Sequence, residues 1–392
     1  MRWSNEKLGD YCEVIAGQSP EGKYYNSDGQ GLPFYQGKKE FGHRYIGNPL
    51  KWTTKVTKEA TAGDILMSVR APVGPINFAT QNICIGRGLA AIRPMIKLDK
   101  DFLFYYLLSK QDEIKGNEGA VFASINKAQI ENLNFSYVNT KEQKRIVTIL
   151  DQVFADLEQA RAKTEQNLKN ARELFESYLQ QVFSERGNGW VEKGLKDISL
   201  DFGRGKSKHR PRNDISLYGG NYPFIQTGDV RHCEHVVTNY SKTYNEKGLA
   251  QSKLWPKGTI CITIAANIAE TGILGFDGCF PDSIIGIVVN PEFTTISYIE
   301  YLLQSFKVIL QAKGKGAAQD NINMGTFENI TFPFPSLKKQ KEIVEELSKL
   351  TTYVQQLEEI YSNKLAAIDE LKKSILQKAF SGELSHTIAK EC

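Results

Sequence analysis

Two stretches of this chain place apolar residues at alternating steps of four and three. In the first, Ile146, Leu150, Val153, Leu157, Ala160, Ala171, Leu174 and Tyr178 follow one another. In the second, Ile343, Leu347, Leu350, Val354, Leu357, Tyr361, Ile368, Leu371 and Ile375 do the same. That spacing is a heptad seam and predicts two long amphipathic helices. Each run covers about 44 residues, or roughly 65 Å at 1.5 Å per residue. Asn167, Gln181, Lys364 and Lys378 interrupt the seam with polar groups. A helix this long cannot bury its stripe alone, so each is expected to pair with the other copy's helix, the alternative being that each packs on its own globular domain. The starts carry capping signals. Thr140 with Gln143 three residues on reads as a capping box, and Ser336 reads as the N-cap of the second helix. Gly187 and Gly382 lie where C′ glycines belong.

Upstream of each helix the pattern shortens. Runs rich in β-branched residues at 64–69, 89–92, 259–264 and 283–289 predict strands, punctuated by Gly and Pro. Short helices are expected at 102–109 and 298–312. A phrase recurs before the strands: Pro33-Phe34-Tyr35-Gln36 and Pro223-Phe224-Ile225-Gln226.

The chain therefore repeats itself. Residues 119–184 align on 316–381 without a gap, and 22 of the 66 pairs are identical. Random pairing gives roughly one match in fifteen. A period of 197 residues is far longer than a solenoid unit. The predicted fold class is α+β: two tandem mixed α/β domains with two long helices, on a pseudo-two-fold plan. The expected boundaries are 1–138, 139–186 (first helix), 187–335, 336–384 (second helix) and a tail at 385–392.

Composition changes this picture only slightly. No apolar run approaches the ~18 residues of a membrane span, and residues 1–7 show no signal-peptide core, so a cytoplasmic protein without membrane contact is expected. Six scattered cysteines read as reduced thiols. The net charge is +4. The helical stretches are neutral, with 8 basic against 8 acidic groups in 138–186 and 9 against 9 in 336–392. The surplus lies in the globular parts, which suits local anion-binding patches.

Catalytic patterns are missing. Gly205-Lys206-Ser207 mimics the end of a phosphate loop, but the first glycine of that motif falls on Leu200. His232-Cys233-Glu234-His235 has no second ligand cluster to complete a zinc site and reads as a solvated loop. No catalytic residue and no metal ligand is expected.

What remains suits DNA. Residues 203–212 hold Arg204, Lys206, Lys208, His209, Arg210 and Arg212, with no acid among them. Glycines permit close backbone approach, and the cationic heads can reach phosphates or guanine edges. The matching loop in the first copy holds Gln18 and Ser19, and Lys38, Lys39, His43 and Arg44 follow its Pro-Phe phrase. Arg231 and His232 occupy that place in the second copy. Arg70, Arg87 and Lys127 complete the first set of candidates, and Asn267, Lys313 and Lys315 the second. These loops differ between copies while the frame repeats, as reading two different sequences requires.

At this point the chain resembles the specificity subunits of type I restriction-modification systems. The helix entries Lys141-Glu142-Gln143-Lys144-Arg145-Ile146-Val147 and Lys338-Lys339-Gln340-Lys341-Glu342-Ile343-Val344 carry the resemblance. So do the exits at 179–184 and 376–384 and the two Pro-Phe phrases. At the first entry Asn139-Thr140 stands where the family usually has proline. The resemblance implies two target recognition domains that read the halves of a split site in double-stranded DNA. It implies that the long helices form an antiparallel coiled coil that sets the distance between those halves. It implies two methyltransferase subunits as partners and, through them, two restriction subunits. The subunit itself would be non-catalytic and hold no cofactor, the partners using S-adenosylmethionine, ATP and magnesium. The rival expectations are an orphan DNA-binding protein without methyltransferase partners, and a coiled-coil adaptor whose globular ends bind proteins.

Overall fold

The computed structural model describes residues 3–114, 124–185, 187–209, 211, 213–265, 267–315 and 322–384. The chain divides into two compact units, 1–165 with 362–392 and 166–361. Each therefore takes one end of both long helices.

The first unit is built on a four-stranded sheet. Cys12–Ala16 and Ile65–Ser68 flank Leu89–Pro94, and Ile76–Phe78 lies at one edge, all antiparallel. Alternation decides where its side chains go. Ile65, Met67, Ala90 and Ile92 face a helical layer that includes Phe102, Leu103 and Tyr106 from the helix Lys100–Ser109. Leu66, Leu89 and Ala91 face the other way, into a second small core with Tyr35, Ile83 and Ile85. Both faces are buried, which is why these strands read as unbroken apolar runs. The second core belongs to a small sheet in which the Pro-Phe strand Leu32–Tyr35 runs parallel to Ile83–Ile85.

The second unit repeats the plan. Its five-stranded sheet orders Ser199–Arg204, Ile284–Val289, Ile260–Thr263, Thr271–Leu274 and Val236–Val237. Ile260, Ile262, Ile285 and Ile287 face the helices, and Cys261 and Ile284 face a second core. The parallel pair Phe34↔Cys84 of the first unit recurs as Phe224↔Cys279. In each unit a short N-terminal strand, Ser4–Lys7 or Val191–Lys193, pairs with the strand just before a long helix. The expected strands are all present within a residue or two. The second short helix is longer than expected, Ile296–Lys315.

The long helices run Thr140–Ser184 and Leu337–Ser381. They pair antiparallel within each unit. In the first, Glu158 meets Lys372 at 3.2 Å and Arg161 meets Asp369 at 2.6 Å. In the second, Arg172 meets Glu358 at 2.6 Å, and the Tyr178 hydroxyl donates to Glu346 at 3.2 Å. The helix ends also enter the domain cores. Ile146 and Leu150 join Leu376 and Ala379 in the first, and Leu179 and Phe183 join Ile343 and Leu347 in the second.

The expected seam needs correction. Leu174 is 54% and Leu371 48% exposed. The buried face instead passes through Ile146, Leu150, Phe154, Thr164, Ala171, Leu179 and Phe183. On the second helix it passes through Ile343, Leu347, Val354, Ile368, Leu376 and Ala379. This face advances at 3.6 residues per turn, not 3.5. A strict heptad drifts ~20° per repeat against such a helix, so late seam positions rotate out of the contact. Val153, Leu157, Leu350 and Leu357 stay half-buried on its margin.

The caps also differ. The first helix is capped by Asn139, whose Oδ1 accepts from Glu142 N at 3.1 Å, and not by Thr140. Gln143 completes no box. It is 0% exposed, donates to the carbonyls of Val138 and Lys97, and accepts from Asp99 N. Ser336 caps the second helix through Lys339 N. Gly382 takes the left-handed conformation of a C′ glycine, φ 88°, whereas Gly187 does not.

Candidate nucleic-acid interface

In the first unit three loops leave the sheets side by side and lock together through their backbones. Gly17 N donates to Leu89 O, Gln18 N to Ile85 O, Gly86 N to Tyr35 O and Gly88 N to Gln36 O, all at 2.8–3.1 Å. A Cβ on Gly17 would sit 2.2 Å from Gly86 O, and one on Gly88 2.5 Å from Gln36 O. Only glycine allows this approach. Polar side chains emerge from the resulting rim. Ser19 Oγ donates to Gln36 Oε1 at 3.0 Å and accepts from Arg87 N at 3.3 Å. Gln18 and Ser19 thus form one group with Gln36 and Arg87, which are far from them in sequence. Lys38 and Lys39 follow at once in an exposed single turn, Lys38–Glu40.

Beside the rim lies a basic and aromatic patch. Lys23 and Lys55 stand over the Tyr24 ring at 5.1 and 5.0 Å, and Lys51 over the Tyr25 ring at 5.8 Å. The Tyr25 hydroxyl donates to the carbonyl of Pro20, the residue after Ser19, at 2.8 Å, which ties the patch to the rim.

The second unit builds its rim in the same place with different chemistry. Gly205 N donates to Ile284 O, and a Cβ on Gly205 would meet Phe280 O at 2.2 Å. Lys206 and Lys208 are exposed. Arg204 Nε donates to Asp282 O at 2.7 Å. His209 lies 2.7 Å from Asp214. Lys242 covers the Tyr218 ring at 5.3 Å. Arg210 and Arg212 lie outside the described residues, as do the side chains of Lys313 and Lys315.

Other candidates are set apart. Arg44 bonds Asp101 at 2.7 Å and Asp151 at 3.0 Å, with its guanidinium over Phe78, Phe104 and Tyr105. Burial opposes its charge, but hydrogen bonds to Asp151 and Asp101 outweigh that and raise its pKa. His43 pairs with Glu158 on the long helix at 2.9 Å. Both fasten the domain to the helix. Lys127 lies 3.5 Å from Glu131 on its own short helix. Arg70 is exposed beyond Ile65–Ser68, in a bridge with Ser124. Arg231 Nη1 donates to Asn267 Oδ1 at 2.9 Å, uniting two candidates.

The segment 232–235 is a loop as expected, with His232 and Glu234 exposed, and its two histidines are tied down. His232 Nδ1 lies 2.7 Å from Gly228 O, and His235 Nδ1 lies 3.1 Å from Glu300, whose side chain is 1% exposed. Burial pushes the Cys233 thiol up to about 11 and Cys12 up to about 12, so neither is a ready nucleophile. Among the described residues no group of three or more His, Cys, Asp or Glu is arranged to hold a metal ion. None of the described helices is long and apolar enough to cross a membrane.

The sequence reading missed Gln36, Lys51, Lys55, Tyr24 and Tyr25. A signal for Gln36 was available, since a glutamine ends the Pro-Phe phrase in both copies.

Comparison with known proteins agrees with this geometry. The family model for the type I restriction modification DNA specificity domain matches residues 2–166 and again 188–367. The protein named as specificity subunit of the MjaX type I restriction enzyme of Methanocaldococcus jannaschii is 41% identical, over 45% of this chain and 42% of that protein. The MjaIX specificity subunit of the same organism is 24% identical over 97% of this chain and 93% of its own length. A chain from a solved structure concerning assembly and conformational transition of a type I restriction-modification system superposes with a TM-score of 0.78. It is 18% identical, and the match covers 96% of this chain and 97% of that one. The chain belongs to the type I restriction-modification DNA specificity family and carries two specificity domains in tandem.

Proposed function

We propose that this chain is the DNA-recognition subunit of a type I restriction-modification complex, reading a bipartite target with one domain per half. The observation that carries this reading is the contrast between frame and rim. The strand order around Gly17 and Gly205 repeats, while Gln18 and Arg87 in one rim answer to Lys206 and Asp282 in the other. Phosphate contacts supply affinity and salt dependence, and base edges supply sequence. Two readers spaced by about a helical turn address one side of the duplex.

The chain docks two methyltransferase subunits and, through them, two restriction subunits. It is itself non-catalytic and holds no cofactor. The partners methylate adenine with S-adenosylmethionine and cut unmodified DNA with ATP and magnesium. Exchanging residues 190–333 for those of a relative tests this reading. Methylome sequencing of a host that also carries the methyltransferase is expected to show one half of the motif changed and the other kept. A swap that alters neither half defeats it.

A further inference from the structure

Resting on that reading, we infer that one face of the first domain separates two tasks. Gln36 and Arg87 contact base edges of one half-site, and Lys23, Lys51 and Lys55 contact the phosphates beside it. The rim is the rigid part. Four backbone hydrogen bonds and the close approaches at Gly17, Gly86 and Gly88 fix its three loops. Its glycines leave the backbone bare, so the side chains at 36 and 87 stand clear of it and are exposed. Ser19 holds the Gln36 carboxamide by its oxygen at 3.0 Å, which orients the amide before any ligand arrives. A glutamine amide and an arginine fork are the groups that pair two-pronged with adenine and guanine edges.

The lysines differ in kind. An ammonium is a compact charge without planar geometry, suited to a phosphate and blind to the base. The ammoniums of Lys23, Lys51 and Lys55 lie over tyrosine rings, which place the charges, while the residues stay exposed to a ligand. Glu21 lies 2.8 Å from Lys23 and offsets part of its charge, so Lys51 and Lys55 carry the larger share.

The test uses the full chain with its methyltransferase partner and duplexes selected by the wild type from a randomised library. Replacing Lys23, Lys51 and Lys55 together by Ala is expected to lower the slope of log affinity against log salt by about two to three, at ~0.9 per lost contact. The selected sequence is expected not to change. Gln36→Ala is expected to leave the slope alone and to weaken the selected duplex on the order of 10- to 100-fold. It should also relax the preference at one position of one half-site only. Arg87→Ala should relax a neighbouring position of that half. Ser19→Ala should act as Gln36→Ala does, more weakly. An unaltered slope in the lysine variant, or an unaltered motif in Gln36→Ala and Arg87→Ala, overturns the assignment while the wider reading stands. Loss of salt-sensitive DNA binding by the wild-type complex overturns both. Melting curves matched to the wild type keep misfolding out of the comparison.

Discussion

In the first unit Arg44 lies over the Tyr105 ring, and the Tyr105 hydroxyl reaches Asp151 of the long helix at 2.6 Å. In the second unit His235 packs edge-on to Tyr301, whose hydroxyl lies 3.3 Å from Ser348 and from Thr351 on the other long helix. The tyrosine and its reach are the same. The cation is permanent in one copy and titratable in the other. Where the first long helix offers its tyrosine a carboxylate, Asp151, the second offers the hydroxyl of Ser348. Duplication preserved the scaffold and left the fasteners to diverge, as the rims also did. A repeated fold therefore fixes where a loop is held, while local electrostatics decide how firmly and at what pH.

The buried glutamines give the sharpest contrast. Gln143 makes three hydrogen bonds, while Gln340 donates to Phe293 O and Pro335 O, and its Oε1 has no partner among the described residues. Gln143→Ala strands two carbonyls and an N–H and is expected to cost about 3 kcal/mol, Gln340→Ala about 2 kcal/mol. Urea denaturation reads both. Equal costs would mean that the third bond contributes nothing.

The cations come next. Arg44→Ala, which removes the cation from Asp101 and leaves Asp151 only the Tyr105 hydroxyl, is expected to destabilise the first unit by about 2 kcal/mol, and His235→Ala the second by about 1 kcal/mol. Only the second effect depends on pH near neutrality. The hydrogen bond to Glu300 raises the His235 pKa above 6.5, against the burial that lowers it, with Glu234 adding to the rise. A raised folded value means that the contribution is complete below about pH 6.5 and fades as pH climbs through that value. Hydrogen exchange should show the second unit loosening as pH rises above about 6.5 while the first holds steady. His235→Gln should abolish the difference; a first unit that loosens equally would refute it.

The smallest effect concerns the exposed leucines. Leu174→Ser and Leu371→Ser are expected to change stability by under about 0.5 kcal/mol each. A heptad seam requires several times that, so thermal melts decide between the two periods.

The repeat made much of the architecture legible. Strands buried on both faces read as apolar runs, and the duplicated Gln-Lys-x-Ile-Val marked both helix entries. The glycine at 382 was read correctly because a C′ residue is a local matter. Local chemistry failed at Thr140, where the neighbouring Asn139 offered the better cap, and at Gln143. There the sequence shows only a side chain three residues past a hydroxyl, while the fold supplies carbonyls from residues 97 and 138.

The candidate interface divides in the same way. Sequence alone determined the duplicated α+β frame, the divergent loops and the family, because those depend on periodicity and on residues near one another in the chain. Tertiary structure alone decided which polar residues meet. Ser19, Gln36 and Arg87 converge because a parallel strand pair sets Tyr35 beside Ile85 and bare glycines close the gap. Arg44, equally basic on paper, was drawn inward because two carboxylates and three aromatic rings surround it. Charge is a property of a residue, but whether it faces DNA or a carboxylate is a property of the neighbours that folding supplies.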